Sequence, residues 1–113
     1  MSEPCPAHRL RHLPVVIVLG REVRVAVGPR ARLLGLAHLD REQAGPGLLI
    51  PRCSSVHTFG MRFRLDLHFL GERGEVVSVR RLVPAWRLAV CGRARAVLEL
   101  PADEGGEIST DAS

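Results

Sequence analysis

Between Arg52 and Gly60 the chain places Cys53, Ser54, Ser55, His57 and Thr58 within six positions. A thiol near an imidazole is the start of thiol catalysis: the ring lowers the thiol pKa, and a carboxylate orients the ring. Cys53, His57 and Asp66 would fill those roles. Metal binding is a second chemistry, because Cys53, His57, Cys91 and His68 are ligand types that zinc accepts, although no two show a tight characteristic spacing. The third is plain recognition, in which a loop dense in hydrogen-bonding groups sits beside a rigid strand. For that reading the candidate ligand-binding residues are His57, Arg62, Asp66, Glu99, Cys53 and Thr58. The rim would run from Cys53 to Arg62, with a wall from Asp66 and Glu99.

Each group also has a plainer use. A cysteine is often a small buried residue, and Ser54, Ser55 and Thr58 are the usual caps of loop backbone. Arg62 and Asp66 lie roughly 13 Å apart along a strand, so each needs a partner from elsewhere. For Asp66 that could be an ion pair with Arg80 or Arg95, or a bond holding His57 in one tautomer. Trp86, after Pro84, reads as a lid or a core packer, with stacking on a ligand or partner as the alternative.

The elements that must hold these residues are mostly strands. From Met61 to Phe69 apolar residues alternate with Arg62, Arg64, Asp66 and His68, the pattern of a strand with one apolar face. Gly71-Glu72-Arg73-Gly74 predicts a hairpin turn, and Glu75 to Val83 the return strand. Val15 to Leu19, a turn at Gly20-Arg21, and Glu22 to Val27 predict a second hairpin. Pro29 can open a helix from Arg30 to His38, weakened by Gly35. Asp40-x-x-Gln43 resembles a capping box, ended by Gly45-Pro46-Gly47. Leu48 to Ile50 is a short apolar strand, Pro84 to Gly92 is irregular, and Ala94 to Leu100 alternates again. In that last strand Ala94, Ala96, Leu98 and Leu100 oppose Arg95, Val97 and Glu99. The sum is a mainly β (α+β) domain: a compact antiparallel β-barrel or sandwich with one or two short helices.

The chain has 113 residues, enough for one domain with its own core. Residues 1–12 read as a disordered head, 13–101 as the domain and 102–113 as a polar, acidic tail. The longest apolar run, Pro14 to Leu19, is far short of the ~20 residues of a membrane span. Glu3 and the lack of a small-residue cleavage pattern argue against a signal peptide, which gives a cytoplasmic reading. All 16 cationic residues are Arg against 12 acidic ones, for a net charge of +4. Arg suits phosphate and nucleic acid, but acidic residues are mixed among them and GC-rich coding also replaces Lys. Nucleic-acid binding therefore ranks last among the readings. The spacing of Cys5, Cys53 and Cys91 excludes a C-x-x-C motif.

Four segments in order, C-S-S-V-H-T-F-G-M-R-F, L-D-L-H-F-L, G-E-R-G-E-V-V and R-A-R-A-V-L-E-L-P-A, resemble the DUF192 family, also called UPF0127. The resemblance runs from about Arg24 to Ala102, and R-A-R-L-L-G-L is similar to the family's short helix ending in Gly-Leu. It implies a small barrel-like fold of unestablished activity, with motif positions at His57, Met61, Arg62, Asp66 and Glu99. It also implies a possible accessory role beside a secretion or pilus system. Two departures stand out: Arg64 replaces the family's Pro before the strand Asp, and the tail replaces a further Gly-Asp strand. An open sheet edge would follow from the second. Taken together these readings point to a small polar-ligand or peptide binding module without demonstrated catalysis. The alternatives are a secretion-linked interaction protein, a thiol- or carboxylate-dependent enzyme, and a weak nucleic-acid binder. No cofactor and no metal is implied, and the partner is an unknown small ligand or protein.

Overall fold

The computed structural model describes residues 8–103. Eight strands and three short helices follow one another as α1 (His8–Arg11), β1 (Val15–Val18), β2 (Arg21–Val25), α2 (Pro29–Leu34), α3 (Arg41–Ala44), β3 (Leu48–Pro51), β4 (Ser55–His57), β5 (Leu65–Leu70), β6 (Val76–Val83), β7 (Leu88–Val90) and β8 (Ala96–Pro101). Six strands form one sheet in the order β1-β2-β3-β8-β5-β6, and β4 pairs with β7 in a separate ribbon. The fold is mainly β with short helices, as the alternation predicts, but in place of the expected antiparallel barrel or sandwich the strands form an open mixed sheet and a separate ribbon. β2 and β3 run parallel, whereas the other neighbouring pairs are antiparallel. A parallel pair needs a crossover rather than a tight turn, and here α2 and α3 supply it.

Both expected hairpins form. Val18 pairs with Arg21 across the first turn, and Gly71 N–H donates to the Glu75 carbonyl at 2.7 Å across the second. The long strand from Met61 is shorter than its alternation predicts, because β5 begins only at Leu65. Its neighbours explain the difference. Leu65 pairs with Val83 on one side and Pro101 on the other, and β6 runs out at Val83, just before Pro84. Proline has no N–H to extend a ladder. Residues 61–64 keep the in-and-out burial of a strand outside β5, tied to it only where the Arg64 carbonyl accepts the Ala102 N–H at 2.9 Å: Met61 is buried, Phe63 half-buried, and Arg62 and Arg64 exposed.

The helix expected from Arg30 to His38 stops at Leu34, where Gly35 takes a positive φ of 56° and its N–H closes on the Ala31 carbonyl at 2.9 Å. α3 starts at the expected cap, with Asp40 N–H donating to Gln43 Oε1 at 2.9 Å. Residues 84–92, read as irregular, contain β7. The segment read as a loose head forms helix α1 from His8, and its Leu10 is buried in the core; residues 1–7 and the tail beyond 103 lie outside the described residues.

Two apolar clusters lie on opposite faces of the sheet. The larger gathers Leu36, Leu48, Ile50, Leu65, Leu67, Phe69 and Val97 with Leu10 under the helices. The smaller holds Val23, Leu70, Leu98 and Leu100. β8, central in the sheet, is therefore buried on both sides from Val97 to Leu100. The polar-face assignment of Val97 and Glu99 is corrected accordingly: Val97 belongs to the main core, and Glu99 shares its face.

Candidate functional site

Glu99 stands in register with Leu48 of β3 and Leu67 of β5, two fully buried leucines, and is itself only 1% exposed. A carboxylate there would lose nearly all its hydration, so burial pushes the Glu99 carboxyl up to about 8. Two features pull the other way without offsetting burial: Leu36 N–H donates to Glu99 Oε1 at 3.2 Å, and Arg9 lies close enough to attract a negative charge. At neutral pH the group is mostly a neutral carboxylic acid, able both to donate and to accept a hydrogen bond.

The backbone around it is shaped to admit the carboxyl. A Cβ on Gly35 would come within 2.6 Å of Glu99 Oε1, so only glycine allows this approach. Arg9 of α1 fixes the same turn from outside by donating to the carbonyls of Gly35 (2.7 Å) and Ala37. The helix read as loose head thus supports the buried Glu99 carboxyl.

Above Glu99 opens a cavity of about 240 Å³. Ile50 and Val56 form its apolar wall, His57 and Ser55 of β4 and Arg32 of α2 its polar wall, and Leu33 and Leu88 its mouth. Leu33 and Leu88 are each 68% exposed, which gives the entrance an apolar rim. Arg32 is occupied by structure: it donates to the carbonyls of Pro51 and Arg52. His57 Nδ1 accepts the N–H of Phe59 at 3.2 Å. In that arrangement the proton of a neutral ring sits on Nε2, which becomes the free donor. The ring stacks on Phe59 with centroids 4.9 Å apart, and Phe59 stacks on Trp86 at 5.5 Å.

Thr58 organises this aromatic row from a buried position. It is fully buried; its hydroxyl donates to the Pro84 carbonyl at 2.7 Å and accepts Arg87 N–H at 2.8 Å. Trp86 N–H in turn reaches the Thr58 carbonyl at 3.2 Å. Gly60, at φ 80°, passes so close to the His38 ring that a Cβ would come within 2.7 Å of it. Trp86, expected as a lid or core packer, is 69% exposed, so it packs no core.

These features can be set beside known proteins. The family model described as DUF192, uncharacterized ACR, matches residues 17–111. The chain belongs to the DUF192 family. Among solved structures it is similar to a proposed transcription regulator from Sinorhizobium meliloti 1021, at 24% identity and a TM-score of 0.62, covering 78% of this chain and 77% of that one. A protein of unknown function from Novosphingobium aromaticivorans DSM 12444 is similar at 18% identity and a TM-score of 0.61, covering 88% of this chain and 83% of that one. At such identities the likeness concerns the fold. No protein with a curated description matches.

Of the DUF192 motif positions, the cavity brings His57 and Glu99 together and leaves the others outside. Asp66 stands opposite Leu100, one register step from the Leu67–Glu99 pair, and so points to the other face of the sheet. A pocket wall shared by Asp66 and Glu99 is therefore corrected. Nor does Asp66 make the expected pair with Arg80 or orient His57. Its Oδ1 accepts Leu82 N–H at 2.9 Å, while Arg80 donates to the Val90 carbonyl and lies over the Phe69 ring. Arg62 forms an exposed salt bridge with Asp40 at 3.1 Å. Cys53 donates its thiol proton to the Ser55 carbonyl at 3.0 Å, and Cys53 and Cys91 are both free. No cluster of three or more His, Cys, Asp or Glu side chains gathers among the described residues, so the candidate zinc set stays dispersed. No described helix is long and apolar enough to cross a membrane. Ser55 falls within the expected rim from Cys53 to Arg62, whereas sequence reasoning missed Arg32 and the rim leucines Leu33 and Leu88. The run R-A-R-L-L before Gly35 was the visible signal for Arg32 and Leu33.

Proposed function

We propose that this DUF192 domain is a binding module for a small, neutral, polar molecule, one bearing a hydroxyl or amide, received in the cavity above Glu99. A single observation carries the reading: a carboxyl held neutral by burial at the floor of a cavity whose wall carries the His57 ring, its Nδ1 already accepting the Phe59 N–H. Glu99 would accept from and donate to the ligand's polar end, and His57 would donate from Nε2. A cationic ligand would require Glu99 to ionise against its burial. An anionic one would meet that carboxyl with Arg32 already engaged. The volume is below the ~300–1,000 Å³ of pockets for drug-sized ligands, which fits a compact molecule or the polar end of a larger one resting on Leu33 and Leu88.

The test is a thermal-shift screen of hydroxyl- and amide-bearing small molecules, with hits re-measured on variants. Glu99→Gln keeps a donor and an acceptor and should retain the shifts; Glu99→Leu should abolish them and His57→Ala weaken them. Hits indifferent to Glu99→Leu and His57→Ala would place the ligand elsewhere. The same carboxyl supports a second reading, general-acid catalysis, because an acid that keeps its proton near neutrality is poised to give it up. Turnover that survives Glu99→Gln would rule that reading out.

A further inference from the structure

The opposite face of the sheet carries a different kind of site. Arg21 of β2 and Arg81 of β6 belong to strands separated by three others in the sheet order, yet both line one cavity of about 280 Å³. The sheet must curl strongly to bring them together, so its second face is concave. His68 of β5 lines the same cavity, on the same face as Asp66, Leu98 and Leu100. His68 Nδ1 is the one buried side-chain nitrogen or oxygen without a hydrogen-bond partner among the described residues. A buried polar atom of that kind is uncommon in a folded domain and calls for a physical account.

The charged groups facing the His68 ring are Arg21 from β2, Arg81 from β6 and Asp66 from its own strand. Burial, above all, lowers the imidazole pKa. Asp66 opposes that effect, and the two arginines add to it. Asp66 already accepts the Leu82 N–H. The empty space is thus bordered by two cations and by a ring whose buried nitrogen lacks a partner, with Leu19, Val79 and Leu100 as apolar walls.

We propose that this concave face binds a small organic phosphate, with Arg21 and Arg81 pairing to the phosphoryl oxygens beside a charged His68 ring. Arginine's planar fork suits such oxygens, and charge-assisted bonds of this type are among the stronger ones. The apolar walls leave room for the organic part. An anion held there favours the charged ring, so binding takes up a proton at His68. Affinity rises as pH falls through the pKa of His68 in the complex.

Calorimetric titration at low ionic strength tests this with phenyl phosphate, inorganic phosphate and sulfate on the described domain in its full chain. Phenyl phosphate should bind more tightly than inorganic phosphate, and Arg21→Gln or Arg81→Gln should each weaken it about tenfold. Both arginines are exposed, so these variants should fold, which circular dichroism verifies. Sulfate does not titrate in this range, so its affinity should rise on acidification in the native protein and lose that dependence in His68→Gln. Acetate binding as tightly as phenyl phosphate would replace phosphate by carboxylate and overturn the stated class. Absence of saturable binding, or binding unchanged in both arginine variants, would overturn the site itself. Since Glu99 and His57 lie on the other face, failure here leaves the neutral-ligand cavity untouched.

Discussion

Glu99 and Asp66 occupy neighbouring strands one register step apart, and the sheet sends them to opposite faces. Glu99 enters the main core, where burial keeps its proton on. Asp66 enters the concave face, half-buried beside a backbone N–H and near two arginines and a histidine. Similar carboxylic side chains thus acquire different chemistry from their surroundings alone. One is a neutral donor and acceptor, and the other a fixed acceptor in a cationic setting. In this fold the face that a residue occupies decides more than its type.

The sharpest way to break the comparison is to deny Glu99 its place. Gly35→Ala puts a Cβ 2.6 Å from Glu99 Oε1 at a residue with φ 56°. Strained backbone and the clash together should remove on the order of 3 kcal/mol of stability, read from urea unfolding midpoints. Pairing Gly35→Ala with Glu99→Ala should lose clearly less than the sum of the single losses, because the clash disappears with the carboxyl. Strict additivity would mean that Gly35 and Glu99 do not compete for the same space.

A smaller effect comes from the proton. The Glu99 carboxyl is raised from 4.5 to about 8 in the folded state, so between those values the folded protein holds a proton that the unfolded chain has released. Its contribution is fully present below the unfolded value and is lost as pH rises towards the folded one. Unfolding free energy should therefore decline across that window with a slope approaching about 1.4 kcal/mol per pH unit. Glu99→Gln should flatten the decline, and Asp66→Asn should leave it in place. A native profile with no such decline would mean that Glu99 is ionised and paired.

Much of the frame was legible in the residues, and the site only in part. Leu65, Leu67 and Phe69 are buried as their alternation predicts, and both hairpin turns fall on their glycines. Alternation misled at Glu99 because it assumes that one face meets water. β8 lies between β3 and β5 and is covered on both sides, so a charged residue in the pattern marked no solvent face. The same assumption placed Asp66 and Glu99 on one wall. Residues 61–64 kept the pattern without the strand, since pairing depends on where Pro84 and Pro101 end their neighbours, which lies far off in the chain. β7 was too short to show a period, and its place is fixed by Thr58 bonds between distant loops. The parallel step between β2 and β3 had a local clue in the helical stretch between them, a connection that a hairpin would not need.

The smallest expected effect concerns Arg62, which sequence reasoning grouped with His57, Asp66 and Glu99. Its guanidinium meets Asp40 at 3.1 Å with both side chains more than half exposed, at 56% and 59%. Water screens such a pair and its two flexible side chains must be held still, so pairs of this kind are worth ~0–1 kcal/mol. Arg62→Ala should therefore shift the unfolding midpoint slightly or not at all, and any shift should shrink as salt is added. Ligand shifts that depend on Glu99 should persist in this variant, since Arg62 does not line that cavity. A loss comparable to that of Gly35→Ala would mean that the arginine holds more than one exposed carboxylate. A loss of ligand response alone would move the binding face towards the loop at residues 61–64, and Glu99 would then owe its raised pKa to architecture rather than to recognition.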